Sequence, residues 1–123
     1  MPKILLVEDD PLVQMTTKIM LNKLGCEIDT FSTGNEALEK AKNSNDYILF
    51  LVDVGLPDIS GVEVIKKIRE NKGAEATIIA VTGYTDDKTK QECLDAGVTE
   101  VLHKPILLDG FKDLLKRYKI IED

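Results

Sequence analysis

The chain has 123 residues, 43% of them hydrophobic, which suits one compact domain with a packed core and argues against disorder. Its 16 basic and 22 acidic side chains leave a formal net charge of -6. That balance excludes the basic face that nucleic acid or an anionic membrane surface demands, and no apolar run approaches the roughly 20 residues of a membrane span. Met1-Pro2-Lys3 runs straight into an apolar strand with no leader, so a single domain over residues 1–123 in the cytoplasm is expected.

In chain order, residues 3–7 form an aliphatic strand that ends at Glu8-Asp9-Asp10. Residues 11–24 follow as a helix, with Pro11 at its first position, Asp9 or Asp10 as its cap and Gly25 at its end. Leu12, Met15, Ile19 and Leu24 fall near one face of that helix at helical spacing, with Met20 beside them. Residues 27–31 alternate as a half-buried strand, and residues 35–42 are a short helix after Gly34. Residues 48–52 are a continuous apolar strand that runs into Asp53, and residues 55–61 are a loop by composition. Residues 62–70 are helical with Val64, Ile65 and Ile68 as core candidates, and residues 77–81 are a strand that runs into Thr82. A helix over 86–96 ended by Gly97, a strand over 98–102 and a helix over 108–118, with Leu114, Leu115 and Tyr118 inward, complete the chain.

Five strand-then-helix repeats with continuous aliphatic strands imply a parallel sheet covered by helices on both faces, an α/β fold. Such sheets bind ligands beyond the carboxyl ends of their strands. The polar groups Glu8-Asp9-Asp10, Asp53, Thr82 and Lys104-Pro105 all stand at those ends. Carboxylates, a hydroxyl and an ammonium meeting at one sheet edge can hold a divalent metal and a phosphoryl group together. Cys26 and Cys93 lack metal-type spacing and read as reduced, buried, small hydrophobes. His103 reads as a partly exposed strand residue, and Asp58, Asp86, Asp87 and Asp95 as solvated charges.

The motifs LLVEDD, LVDVGLP with a later Gly61, AVTGY and HKP occur in that order. Their separations are 44 (9 to 53), 29 (53 to 82) and 22 (82 to 104) residues. Together they resemble the receiver domain of two-component response regulators, from Lys3 to about Tyr118. That resemblance implies a flavodoxin-like three-layer sandwich whose five parallel strands run in the order 2-1-3-4-5 with five helices. It implies Asp53 as phosphoacceptor and Mg²⁺ as cofactor, held by Glu8, Asp9, Asp53 and the Gly55 carbonyl. Asp9 would be a direct ligand, and Glu8 would act through water. Thr82 would bond a phosphoryl oxygen and Lys104 would pair with it, with a cis peptide before Pro105. The implied activity is phosphoacceptance from a phosphohistidine, assisted by the domain itself, and the implied partner is a sensor histidine kinase or histidine phosphotransfer protein.

The segments DVGLPDISG, Cys93-Leu94-Asp95-Ala96-Gly97 and Val101-Leu102-His103-Lys104-Pro105 resemble more closely the receivers of hybrid sensor histidine kinases, which relay to histidine phosphotransfer domains. The position three before the lysine is often aromatic in the family and is Val101 here. Either the aromatic switch partner is missing or Tyr84 takes its role. An aspartate-nucleophile phosphatase is the rival enzyme reading, but it usually needs a second aspartate where Gly55 stands. A degenerate interaction module is the other rival, and the intact Asp9, Asp53, Thr82 and Lys104 oppose it. Apolar Leu12, Met15 and Ile106-Leu107-Leu108 flank the site, either as core or as a docking surface for a phosphotransfer helix.

Overall fold

The computed structural model describes residues 1–83 and 86–122. The elements are β1 (Lys3–Val7), α1 (Pro11–Lys23), β2 (Glu27–Phe31), α2 (Gly34–Lys42), β3 (Tyr47–Asp53), α3 (Gly61–Lys72), β4 (Ile78–Thr82), α4 (Asp87–Asp95), β5 (Glu100–His103) and α5 (Leu108–Arg117). The five strands pair in parallel in the order β2-β1-β3-β4-β5, as expected. Tyr84, which the sequence offered as an alternative switch residue, lies outside the described residues.

Strand alternation splits the aliphatic runs between two core layers. Leu5, Val7, Phe50, Val52, Ile78 and Ala80 point to the layer with Val64, Ile65 and Ile68 of α3. Ile4, Leu6, Leu49, Leu51 and Ile79 point to the layer with Leu21 of α1 and Phe111, Leu114 and Leu115 of α5. Each fully buried aliphatic or aromatic side chain contributes about 1.5–3 kcal/mol by area. These layers therefore hold the sheet rigid enough to fix what stands at its edge. Cys26 and Cys93 are buried and unpaired, as expected, and burial pushes both thiols up.

Local chemistry sets the helix starts. Asp10, not Asp9, caps α1: its carboxylate accepts from the Leu12 and Val13 amides at 2.9 and 3.3 Å. Ser60 caps α3 and Asp86 caps α4, so Asp86 is a cap rather than a solvated helix charge. Two strands run one residue further than their apolar stretches: Asp53 and Thr82 are the last residues of β3 and β4. β5 begins later than expected, because the Thr99 hydroxyl accepts from the Ile78 amide and takes a ladder position with its side chain.

The apolar face of α1 is turned the other way. Leu12, Met15 and Ile19 are 63%, 54% and 48% exposed, while Thr17 and Leu21 are buried. Thr17 lines a cavity of about 160 Å³ together with Phe111 of α5. Hydrophobic spacing alone did not fix the helix rotation.

Candidate functional site

The carboxyl edge of the sheet gathers its polar groups at the ends of β1, β3, β4 and β5. Glu8 follows β1 directly, and its amide continues the ladder by donating to the Phe31 carbonyl at 3.0 Å. Asp53 ends β3, next to Val81 of β4, and the Val54 amide donates to the Val81 carbonyl at 3.1 Å. Thr82 ends β4 and is buried, and its carbonyl accepts from the Lys104 amide at 2.8 Å. The Lys104–Pro105 peptide bond is cis, as expected.

Three carboxylates converge. Glu8, Asp9 and Asp53 each place one oxygen within 4.8 Å of the others. Glu8 and Asp53 are only 3% and 7% exposed, whereas Asp9 is open to solvent. Lys104 reaches into the cluster, with Nζ 2.8 Å from Glu8 Oε1 and 3.3 Å from Asp53 Oδ1. Burial pushes the Glu8 carboxyl up, against the Lys104 hydrogen bond and the Asp10 amide that favour its charged form. Burial opposes the Lys104 charge too, yet the Glu8 hydrogen bond and the nearby Asp53 and Glu8 charges outweigh it and raise its pKa.

With all four groups ionised, three carboxylates against one ammonium leave an excess of two negative charges. That is the charge of one divalent cation, and the donors are all oxygen, the set that hard cations prefer. The cluster can therefore hold a metal. The structure brings Glu8, Asp9, Asp53 and Lys104 together as the sequence suggested. Gly55 stands two residues past Asp53 at an open position, and its amide donates to Asp53 Oδ1 at 3.3 Å. Val101 is partly buried against the α3-side core, and His103 is exposed at the end of β5.

Two features escaped sequence reasoning. Asp58 is no free loop charge: its carboxylate accepts from the Gly34 and Asn35 amides at the start of α2, both at 2.8 Å. Those partners lie 24 and 23 residues upstream, and nothing local marks them. Beside the acids also lies an apolar cavity of about 160 Å³, lined among others by Val13, Thr17, Met20, Ile106 and Phe111. Ile106 packs against the core, whereas Leu107 beside it is 69% exposed.

Known proteins resemble this chain in sequence and fold. The chain is 36% identical over 121 residues to the osmosensing histidine protein kinase SLN1 of Saccharomyces cerevisiae, covering 94% of this chain and 10% of that one. It therefore spans about a tenth of that relative's length. A response regulator receiver domain protein (CheY-like) from Methanospirillum hungatei JF-1 superposes with a TM-score of 0.86 at 32% identity, over 98% of this chain and 92% of that one. The receiver domain of sensor histidine kinase PA1611 from Pseudomonas aeruginosa PAO1 superposes with a TM-score of 0.87 at 31% identity, over 95% and 96%. Its structure has a magnesium ion coordinated in the active site cleft. The family profile of the response regulator receiver domain matches residues 4–117, nearly the whole chain. With that profile, the 2-1-3-4-5 sheet and the acid cluster at its edge, this chain belongs to the response regulator receiver domains of two-component phosphorelay signalling.

Proposed function

We propose that residues 1–123 form a single receiver unit in which Asp53 takes a phosphoryl group from a phosphohistidine. The observation that carries this reading is Asp53 at the end of β3, beside the Glu8 and Asp9 carboxylates and within reach of Lys104. A carboxylate oxygen of Asp53 attacks phosphorus, the P–N bond to the imidazole breaks, and an acyl phosphate forms on Asp53. Glu8, Asp9, Asp53 and the Gly55 carbonyl would hold Mg²⁺, which supplies charge neutralisation for the acceptor and the phosphoryl oxygens. The relative with magnesium in its cleft supports that choice of ion.

Lys104 is a mobile point charge with three donors. In the free chain it neutralises Glu8 and Asp53, and on phosphorylation it turns to a phosphoryl oxygen. The Thr82 hydroxyl bonds another oxygen, and this pair of contacts shifts the chain toward its signalling conformation. The same groups position a water for self-assisted loss of the phosphoryl group. The exposed Leu12, Met15 and Leu107 beside the site fit a helix of a sensor histidine kinase or histidine phosphotransfer protein. Ile106, which the sequence placed in that surface, packs against the core instead. This reading places the chain in the cytoplasm, as its sequence led us to expect. A second reading, in which the chain is the receiver portion of a hybrid sensor histidine kinase, is favoured by the match to one tenth of such a kinase.

The test is labelling by a small phosphodonor, read as the intact mass. The chain should gain one phosphoryl group with Mg²⁺ and none after chelation, and Asp53→Asn should gain none. Full labelling of Asp53→Asn would overturn the assignment.

A further inference from the structure

We propose that Asp58 is a positioning residue for the metal site, latching the loop that carries the Gly55 carbonyl to the start of α2. This rests on the metal reading above. The β3–α3 loop, residues 54–60, leaves directly from Asp53. Its base is closed by Gly61, whose amide donates to the Val54 carbonyl at 3.0 Å. The chain passes so closely there that a Cβ on Gly61 would lie 2.3 Å from the Asp53 carbonyl oxygen.

The far side of the loop is closed by Asp58. One carboxylate oxygen accepts from the Gly34 amide and the other from the Asn35 amide, both at 2.8 Å. Packing completes the junction, since a Cβ on Gly34 would lie 2.7 Å from Ile59 Cγ1 and 2.8 Å from Val64 Cγ2. Although Asp58 is exposed, the Asn35 amide, with that of Gly34, holds its carboxyl below the usual aspartate range.

Helix α2 already has a cap of its own. Thr33 Oγ1 accepts from the Glu36 amide at 3.3 Å and donates to Glu36 Oε1 at 2.8 Å. Asp58 therefore does more than start a helix: it ties the β3–α3 loop to the first residues of α2 across the sheet edge. Of the carboxylates proposed to hold the metal, Asp53 ends β3, Glu8 directly follows β1 with its amide in the ladder, and Asp9 comes next in the three-residue connection to α1. The Gly55 carbonyl is the proposed donor borne on the longer β3–α3 loop, residues 54–60. A donor that must be ordered on binding costs affinity, and one ordered beforehand does not. The latch pre-orders it.

The test titrates Mg²⁺ calorimetrically into the full chain and into Asp58→Ala, Asp58→Asn and Thr33→Ala, with a metal-free thermal melt of each. Thr33→Ala removes the cap that α2 supplies itself and leaves the latch in place, so it controls for helix stability. Asp58→Ala should bind Mg²⁺ about fivefold more weakly than the parent chain. Thr33→Ala should melt earlier yet bind as the parent does. Asp58→Asn keeps one acceptor oxygen without the charge, and its affinity should fall between the two. Parent-like binding by Asp58→Ala overturns the proposal. Equal weakening in Asp58→Ala and Asp58→Asn assigns the effect to lost charge, and equal weakening in Thr33→Ala assigns it to loss of stability; either result also overturns it. No Mg²⁺ binding by the parent chain overturns the metal reading itself and the latch's role with it.

Discussion

On the sheet face covered by α2, α3 and α4, polar side chains cross from element to element. Asp58 ties the β3–α3 loop to α2, and Lys72 of α3 donates to the Ser44 carbonyl at 2.6 Å. Arg69 of α3 donates to the carbonyls of Gly97, Gly73 and Ala76 and to the Thr99 hydroxyl. On the face covered by α1 and α5, no hydrogen bond or ion pair links the two helices among the described residues. That face also has the apolar cavity and the outward stripe of Leu12, Met15 and Ile19. The tied face carries the loop proposed to hold a metal. The α1–α5 face, whose polar ties run from each helix to a strand or its end and not between the helices, offers apolar surface beside the same acids, where a phosphodonor is proposed to approach. The proposed site is thus flanked by a tied side and an apolar side.

Breaking a tie on the tied side should have the largest effect on stability. Arg69→Ala removes four hydrogen bonds at once, those to three carbonyls and a hydroxyl. A loss of about 2 kcal/mol is expected by denaturant unfolding. Ile19→Ala on the exposed stripe should stay within about 0.5 kcal/mol of the parent. A comparable loss at Ile19 would mean that the stripe is core and that the two faces do not differ.

A smaller effect is expected where α5 is tied to its own strand. Glu100 of β5 accepts both Arg117 guanidinium nitrogens, at 2.8 and 3.0 Å, and the Tyr118 hydroxyl at 2.7 Å. The Arg117 hydrogen bonds, helped by Tyr118, hold the Glu100 carboxyl below its ordinary value of 4.5. A lowered folded pKa contributes stability that is complete above the unfolded value and lost as pH falls through the folded one. Glu100→Gln should therefore be less stable than the parent at pH 7 by about 1 kcal/mol or less, because the pair is partly solvated. The gap should close as the medium is acidified below that value. A gap that stays constant down to strong acid would contradict the ion-pair account.

The strands were legible in the sequence because their aliphatic runs are long and uninterrupted. So were the groups at their ends, since a parallel sheet delivers every strand end to one edge. Asp53, Glu8, Asp9 and Lys104 do converge there. The rotation of α1 was not legible: apolar residues stand on more than one face, and Leu21 is the one fully buried against the α5 side while Leu12, Met15 and Ile19 face out. Nor was the difference between Ile106 and Leu107, adjacent and both apolar, of which one packs inward and the other faces solvent. Asp58 was read as a solvated charge because its partners are two backbone amides at the start of α2, distant in sequence, and no residue type announces a backbone donor.

The division of labour between the two faces is tested most directly by labelling the same variants from two donors. One donor is a small-molecule phosphodonor, and the other is a histidine-phosphorylated phosphotransfer protein that serves the parent chain. Leu12→Ala and Leu107→Ala remove exposed apolar groups that support no core packing. Each should slow transfer from the protein donor by about tenfold, as expected for truncating an interface anchor. Labelling by the small donor and the melting midpoint should stay at parent values. Parent-rate transfer from the protein donor, or equal slowing with both donors, would contradict the account.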